Sequence, residues 1–390
     1  MPDRLKKMMH YAVSMLIWMA LLPWATLKYG KKHVWLICER GTDARDNGYH
    51  MFRYLREKHP EVNAWYIITR DSQDMGKVAP LGNVVVGGSL RHWMLFITAD
   101  KILTAFENHY SPSKSYKFTQ FIKRKNHQAL VFLQHGVIAN DLPLYHRERS
   151  GFDLFICGAK PEYDFVSSHF HYTNGEVRYT GLARFDALHH ASVKRQLLIM
   201  PTYRKWFRGQ TKDEVAHSQY VRLWQAVLDS PWLAAAAEKY DYQVIFFPHQ
   251  LMQQYIGLFH TSNERITIAD FCRYDVQPLL KDSAVLITDY SSVHFDFAYM
   301  RKPVVYYQFD EQEMFEKHCA RGYFDYPTMG FGDVVATEDQ LRNSIEACLA
   351  NDCQLTPAHE NRIGAFFPLH DRRNCERIYN EVVKAAPDGI

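Results

Sequence analysis

One pattern dominates the chain and leaves few folds open to it. A short apolar run rich in β-branched and aromatic residues is followed by a polar turn and then by an amphipathic stretch of helical length, and the unit repeats from residue 33 almost to the end. The runs are HVWLIC (33–38), NAWYIIT (63–69), NVVV (83–86), KILTA (101–105), ALVFLQ (129–134) and DLFIC (153–157), then RQLLIM (195–200), YQVIFF (242–247), RITI (265–268), SAVLIT (283–288), PVVYY (303–307) and DVVA (333–336). Strand and helix alternating in this way build βαβ units and a parallel sheet. Several runs are apolar at every position, as strands must be when helices cover both faces of their sheet. The expected fold class is therefore α/β, with two doubly wound Rossmann-like domains. A chain of 390 residues can bury two cores, which makes a cleft between domains available. The two strand series part near residues 181 to 194. The expected organisation is a membrane-associating segment (1–32), a first Rossmann-like domain (33–190), a second (191–370) and a C-terminal helix (371–390).

Composition excludes several other classes. With 47% hydrophobic and 23% charged residues the chain is neither disordered nor collagen-like nor polytopic in a membrane. A net charge of +3 does not point to nucleic acid, and no nucleic-acid partner is expected. The seven cysteines contain no CxxC pair, and Cys38 and Cys157 close apolar runs, where a thiol behaves as a small hydrophobe. Residues 8–27 carry no formal charge and are bounded by Arg4, Lys6 and Lys7 before and Lys28, Lys31 and Lys32 after. That length just spans a bilayer core of roughly 30 Å. Cations on both sides remove the asymmetry that sets a spanning orientation. An interfacial helix with its lysines on anionic headgroups fits as well, and a buried first helix is the third reading. No small-x-small cleavage site precedes Lys32, against a cleaved signal peptide.

Ligands of open parallel sheets bind beyond the carboxyl ends of the strands, which directs attention to the polar residues after each run. Four junctions stand out. After ALVFLQ come His135 and Gly136, an imidazole beside an uncrowded backbone, placed either as a general base or as a packed turn residue. After YQVIFF come Pro248 and His249, in the other half of the chain. After SAVLIT come Asp289, Tyr290, Ser291 and Ser292, then a helical pattern through residue 300, so that the serines stand at a helix start, as anion ligands or as ordinary caps. After RQLLIM come Thr202 and Arg204, a hydroxyl and a guanidinium suited to phosphate, or a solvated surface pair. Arg372 and Arg373 head the last helix, an unfavourable place for cations unless an anion lies near. The chain has no P-loop, GxGxxG fingerprint, HExxH, zinc-spaced Cys/His cluster or DxD pair leaving a strand, so no cofactor and a metal-independent mechanism are expected. His169 and His171 form an isolated HxH that reads as a helix end.

Together, ERGTDARDNGYHMFRYLREKHPEVNAWYII (39–68), the His-Gly step at 135, PTYR at 201, FPH at 247 and ITDYSSVHFDFAYMRKPVVYYQFD (287–310) resemble the CDP-glycerol glycerophosphotransferase family, primases and polymerases of teichoic acids and related capsule polymers. The segments at 321–323 and 371–378 are similar to the family's C-terminal elements, except that Asp371-Arg372 stands where the family usually has Asp-Gly. The resemblance implies two domains facing across a cleft in the glycosyltransferase-B manner, and attachment at the cytoplasmic face of the plasma (inner) membrane. It also implies a CDP-glycerol or related CDP-polyol donor, with polyol phosphate passing to a lipid-linked or polymeric acceptor as CMP leaves. His135 would be the base and His249 the stabiliser of phosphate or leaving group. Gly136, Thr202, Arg204, Asp289, Ser291, Ser292 and Arg372 would lie on the donor side. A nucleotide-sugar glycosyltransferase of the same frame, acting in surface polysaccharide synthesis, is the alternative.

Overall fold

The computed structural model describes residues 3–189 and 192–385. The chain divides into two units, residues 1–137 with 142–187 and 371–390, and residues 138–141 with 188–370. The last helix, Asn374–Lys384, thus belongs to the first unit. There Asp186 accepts from the Asn374 and Cys375 amides at 2.9 and 2.8 Å.

The first unit holds β1 (Val34–Cys38), β2 (Ala64–Ile68), β3 (Val84–Val86), β4 (Ala99–Thr104), β5 (Ala129–Phe132), β6 (Leu154–Cys157) and β7 (Val177–Tyr179), paired in the order β3-β2-β1-β4-β5-β6-β7. The second holds β8 (Gln196–Met200), β9 (Gln243–Phe246), β10 (Ile266–Ile268), β11 (Val285–Thr288), β12 (Val304–Tyr307) and β13 (Gly332–Val335), in the order β10-β9-β8-β11-β12-β13. Every pairing among them is parallel. The two-domain α/β class expected from the run pattern is what the chain adopts. β1, β2, β5, β6, β11 and β12 are buried at every residue, which is why their sequences show no alternation. Only β7 had no counterpart among the runs: it has three residues, lies at the sheet edge, and carries Arg178 at its centre.

Each order reverses once, between β1 and β4 and between β8 and β11. At such a switch point neighbouring loops turn to opposite faces and leave a crevice at the strands' carboxyl ends. Thr202 and Asp289 follow the two strands that flank the second switch point, and His135 and His249 follow the strands one place further out, β5 and β9.

The first helix, Asp3–Tyr29, is the one described helix long and apolar enough to cross a membrane. It has two unlike faces. Ser14, Ala25 and Tyr29 are buried against the first unit, while Leu5, Met9, Val13, Leu16, Trp24 and Leu27 are exposed at roughly helical spacing. The Ser14 and Ser113 hydroxyls lie 2.7 Å apart, the Trp18 ring meets Phe121 edge-on at 5.4 Å, and Arg91 donates to the Tyr29 hydroxyl at 3.3 Å. These contacts pin the helix to the domain between residues 14 and 29. The reading as a fully buried first helix therefore does not hold.

Candidate functional site

In the first unit the chain leaves β5 through Gln134, whose φ of +61° places it in the left-handed region. Its neighbours hold that conformation. The Gln134 amide donates to the Ile156 carbonyl and to Glu162 Oε1 (3.0 Å), and its own carbonyl accepts from Asn47 Nδ2 at 2.8 Å. Asn47 Oδ1 also accepts from the Arg184 amide at 2.9 Å, so one side chain ties the loops after β1, β5 and β7 together. Gly48 follows because any Cβ there would meet Glu39 Cγ at 2.8 Å. Glu39 in turn accepts from the Arg45, Asp46 and Tyr49 amides at 2.9, 2.9 and 2.7 Å. The segment from 39 to 49 is thus a frame wrapped around a buried carboxyl, whose pKa burial and the nearby Asp46 raise to about 8.

His135 projects from this frame. Its Nδ1 lies 3.0 Å from the Ala105 carbonyl at the end of β4, and its ring stacks on Phe106 at 4.4 Å. A carbonyl only accepts, so Nδ1 carries the hydrogen and Nε2 carries the lone pair. The ring has an exposed surface, yet protein surrounds it at longer range, and this loss of bulk solvation lowers its pKa against the raising pull of Asp46 and of the Ala105 carbonyl. His135 is therefore neutral at pH 7, with its basic nitrogen outward. Asp46 is itself kept ionised: burial opposes its charge, but the Arg184 guanidinium at 2.6 Å outweighs it and holds the carboxyl below the usual range. Gly136 is buried immediately beyond.

In the second unit the Thr202 amide donates to Asp289 Oδ1 at 2.9 Å, joining the loops after β8 and β11 across the switch point. Arg204 is fully buried and forks onto Asp310 at 2.7 and 3.0 Å. Its Nη1 donates to the Thr202 carbonyl at 2.8 Å and lies 2.9 Å from Asp289 Oδ2, an electrostatic contact without hydrogen-bond alignment. One cation is thus shared by two buried carboxylates. Burial opposes the guanidinium's charge, but Asp289 and Asp310 more than restore it. Burial also raises Asp310, which Arg204 only partly offsets. Arg204 and Asp289 were expected as donor ligands. Here both side chains are wholly enclosed and spent on each other, and they fix the loops that carry Thr202 and Ser291.

Thr202 Oγ1 is buried and has no hydrogen-bond partner among the described residues. Ser292 is exposed and Ser291 half-buried, and neither hydroxyl caps the helix Val293–Tyr299, which is shorter than the pattern through residue 300 indicated. His249 is exposed at the end of β9, and its Nδ1 accepts from the Leu251 amide at 3.1 Å. An amide only donates, so here Nδ1 holds the lone pair and Nε2 holds the hydrogen, the reverse of His135. Lys205 adds to the positive surroundings, while His318 beside it stays neutral: the Lys205 amide donates to His318 Nδ1 at 3.2 Å, and burial with Lys205, Arg204 and His249 nearby presses the His318 pKa down to about 4. Arg372 belongs to the first unit, where it is exposed just before the last helix.

Sequence reasoning passed over Asp46, Asn47 and Arg184, and in the second unit Asp310, Lys205 and His318. Asp46 and Asn47 follow the carboxyl end of β1, the same kind of junction as the four inspected, and Asp310 follows β12. Among the described residues one His/Glu trio has ligand atoms within 4.8 Å of one another, His146, Glu148 and His171. Two of the three are exposed, and His171 already pairs with Glu148 at 2.6 Å.

A family model described as CDP-Glycerol:Poly(glycerophosphate) glycerophosphotransferase matches residues 19–384. The minor teichoic acid biosynthesis protein GgaB of Bacillus subtilis (strain 168) is 30% identical over 367 residues, covering 91% of this chain and 40% of GgaB. A teichoic acid poly(glycerol phosphate) polymerase of the same organism is 34% identical over 118 residues, 30% of this chain and 16% of that protein. The chain thus spans less than half the length of these relatives. Among solved structures, a histidine variant of the wall teichoic acid polymerase TagF soaked with CDPG superposes with a TM-score of 0.69 at 15% identity, over 98% of this chain and 97% of that one. That likeness establishes the glycosyltransferase-B-like fold.

Proposed function

Since the chain belongs to the CDP-glycerol:poly(glycerophosphate) glycerophosphotransferase family, we propose that it moves glycerol phosphate, or a related polyol phosphate, from a CDP-activated donor to a hydroxyl of a lipid-linked or polymeric acceptor. The observation that carries this reading is the tautomer of His135, whose outward Nε2 lone pair is dictated by the Ala105 carbonyl. In the proposed step the acceptor oxygen forms a bond to the phosphorus bearing the polyol, and its proton passes to His135 Nε2. The bond from that phosphorus to the bridging oxygen breaks, and CMP leaves with the electron pair. His249, whose Nε2 carries the hydrogen, donates to the phosphate oxygens as charge shifts onto the leaving group. The unsatisfied Thr202 hydroxyl and the uncommitted Ser291 and Ser292 hydroxyls are donor ligands on this reading, with Lys205 supplying positive potential.

The acceptor's lipid anchor calls for work at a membrane, on its cytoplasmic face where CDP-polyols are found. The exposed apolar stripe of the first helix supports this. Because that helix is pinned to the domain from Ser14 to Tyr29, it is suited to lie in the interface rather than to cross it.

Purified protein incubated with CDP-glycerol and a membrane-derived acceptor should release CMP together with a product heavier by glycerol phosphate. Failure with every CDP-polyol, alongside turnover of a nucleotide sugar, would overturn the reading.

A further inference from the structure

Beside the first helix lies an open pocket of about 470 Å³ lined by Lys117, Phe121, Arg124 and Lys125. Their spacing of i, i+4, i+7 and i+8 puts all four on one face of the helix Tyr116–Lys125. None of the three cations has a carboxylate partner among the described residues. Neighbouring Lys123, by contrast, is half-buried and paired with Asp153 at 2.8 Å. Lys117 stands in the first helical turn, where the backbone dipole disfavours a cation unless an anion is close. The Lys125 ammonium lies 5.6 Å from the centre of the Trp18 ring, and the buried Trp18 Nε1–H has no acceptor among the described residues. Three uncompensated cations therefore gather where the first helix meets the body of the domain, on the side of Trp18.

We propose that this pocket takes the phosphate headgroup of an anionic phospholipid, and so registers the apolar stripe of the first helix against the bilayer. The inference rests on the membrane reading above and deepens it. The apolar stripe supplies affinity for any bilayer, whereas the pocket makes that affinity selective for anionic lipid. A headgroup phosphodiester fits the chemistry: its oxygens accept from the Arg124 guanidinium and the Lys117 and Lys125 ammonium groups together, at the level of the interface in which the first helix lies.

The experiment is vesicle sedimentation of the full chain at fixed ionic strength, on phosphatidylcholine alone and on phosphatidylcholine containing phosphatidylglycerol. Each cation near an anionic surface contributes about five-fold in partitioning. The triple variant K117Q/R124Q/K125Q should therefore bind the anionic vesicles on the order of a hundred-fold more weakly. Its binding to pure phosphatidylcholine should be unchanged. A control removing three other exposed cations of the same unit, K58Q/R70Q/R149Q, should stay within about two-fold of wild type. Circular dichroism would verify that both variants are folded. Equal losses in the two triple variants would overturn the pocket and leave membrane attachment standing. A wild-type chain that binds neither vesicle would overturn the membrane reading and the pocket with it. Displacement from anionic vesicles by millimolar inorganic phosphate at matched ionic strength would assign the cations to a soluble anion and overturn the lipid site.

Discussion

Replacing Arg204 distinguishes a structural cation from a ligand. In Arg204→Ala, Asp289 and Asp310 lose the guanidinium between them while remaining 0% and 8% exposed. Removing one partner of a buried ion pair strands the other's charge, at a cost of about 3–5 kcal/mol. For a domain of this size each kcal/mol moves the melting temperature by roughly 2–4 °C, so a fall of about 6–20 °C is expected. Arg204→Lys keeps the charge but cannot form the fork that reaches both Asp310 oxygens, and should fall between Ala and wild type. Removing all three charges together, in R204M/D289N/D310N, should recover much of the loss, because what is expensive is the unpaired charge rather than the absence of the pair. The assay is urea unfolding of each variant, with CDP-glycerol binding measured calorimetrically below the unfolding transition. An Arg204→Ala protein within about 0.5 kcal/mol of wild-type stability that has lost donor binding would refute the structural assignment and return Arg204 to the phosphate.

Two further predictions follow from the histidines. Glutamine offers an amide N–H near the position of Nε2 but no basic nitrogen. His249→Gln should therefore retain measurable CMP release where His249→Ala retains far less, while His135→Gln should be as inactive as His135→Ala, about 10²–10⁴-fold down; rescue at 135 but not at 249 would reverse the roles. Buried His92 and half-buried His318, each with a pKa pressed down to about 4, and buried His294, pressed to about 3, make the fold acid-sensitive. Their folded pKa values lie below the unfolded value near 6.5, so the unfolded chain binds more protons and stability falls as pH drops from about 6.5 toward 4. At pH 5 each contributes a loss of about 2 kcal/mol, and a urea midpoint that stays level between pH 7.5 and 5 would contradict the assignment.

The fold was legible because parallel strands buried on both faces must be apolar throughout, and such runs are hard to mistake. β7 escaped because an edge strand of three residues around Arg178 buries too little to leave that mark. The histidines were legible for a topological reason, since both follow central strands. What one sequence could not disclose was which polar residues face ligand and which face each other. Arg204 and Asp289 have the chemistry of phosphate and ribose ligands, yet they pair through a contact 85 positions apart in the chain that no local pattern encodes. Asp46 was hidden by the same circumstance: its significance depends on Arg184 and His135, which approach it from the loops after β7 and β5.

The tautomers give the strongest reason to regard the two histidines as unlike parts. Both leave a central strand of a doubly wound sheet, and in isolation the two imidazoles would be interchangeable. What separates them is the group presented to Nδ1. At 135 it is the Ala105 carbonyl, supplied by the neighbouring strand β4; at 249 it is the Leu251 amide, supplied by the turn of 3-10 helix that His249 itself caps. A carbonyl forces Nε2 to be an acceptor and an amide forces it to be a donor, so the backbone alone fixes one proton acceptor and one proton donor. Phosphoryl transfer needs that pair, because the attacking hydroxyl must lose a proton while the phosphate oxygens gain hydrogen bonds. Protonation of His135 would cancel the difference, which is why its lowered pKa matters: the acid limb of CMP release should lie below the ordinary histidine value of about 6.5. An acid limb above that value in the wild type, shifted by His249→Gln and not by changes around His135, would assign the base to the other imidazole.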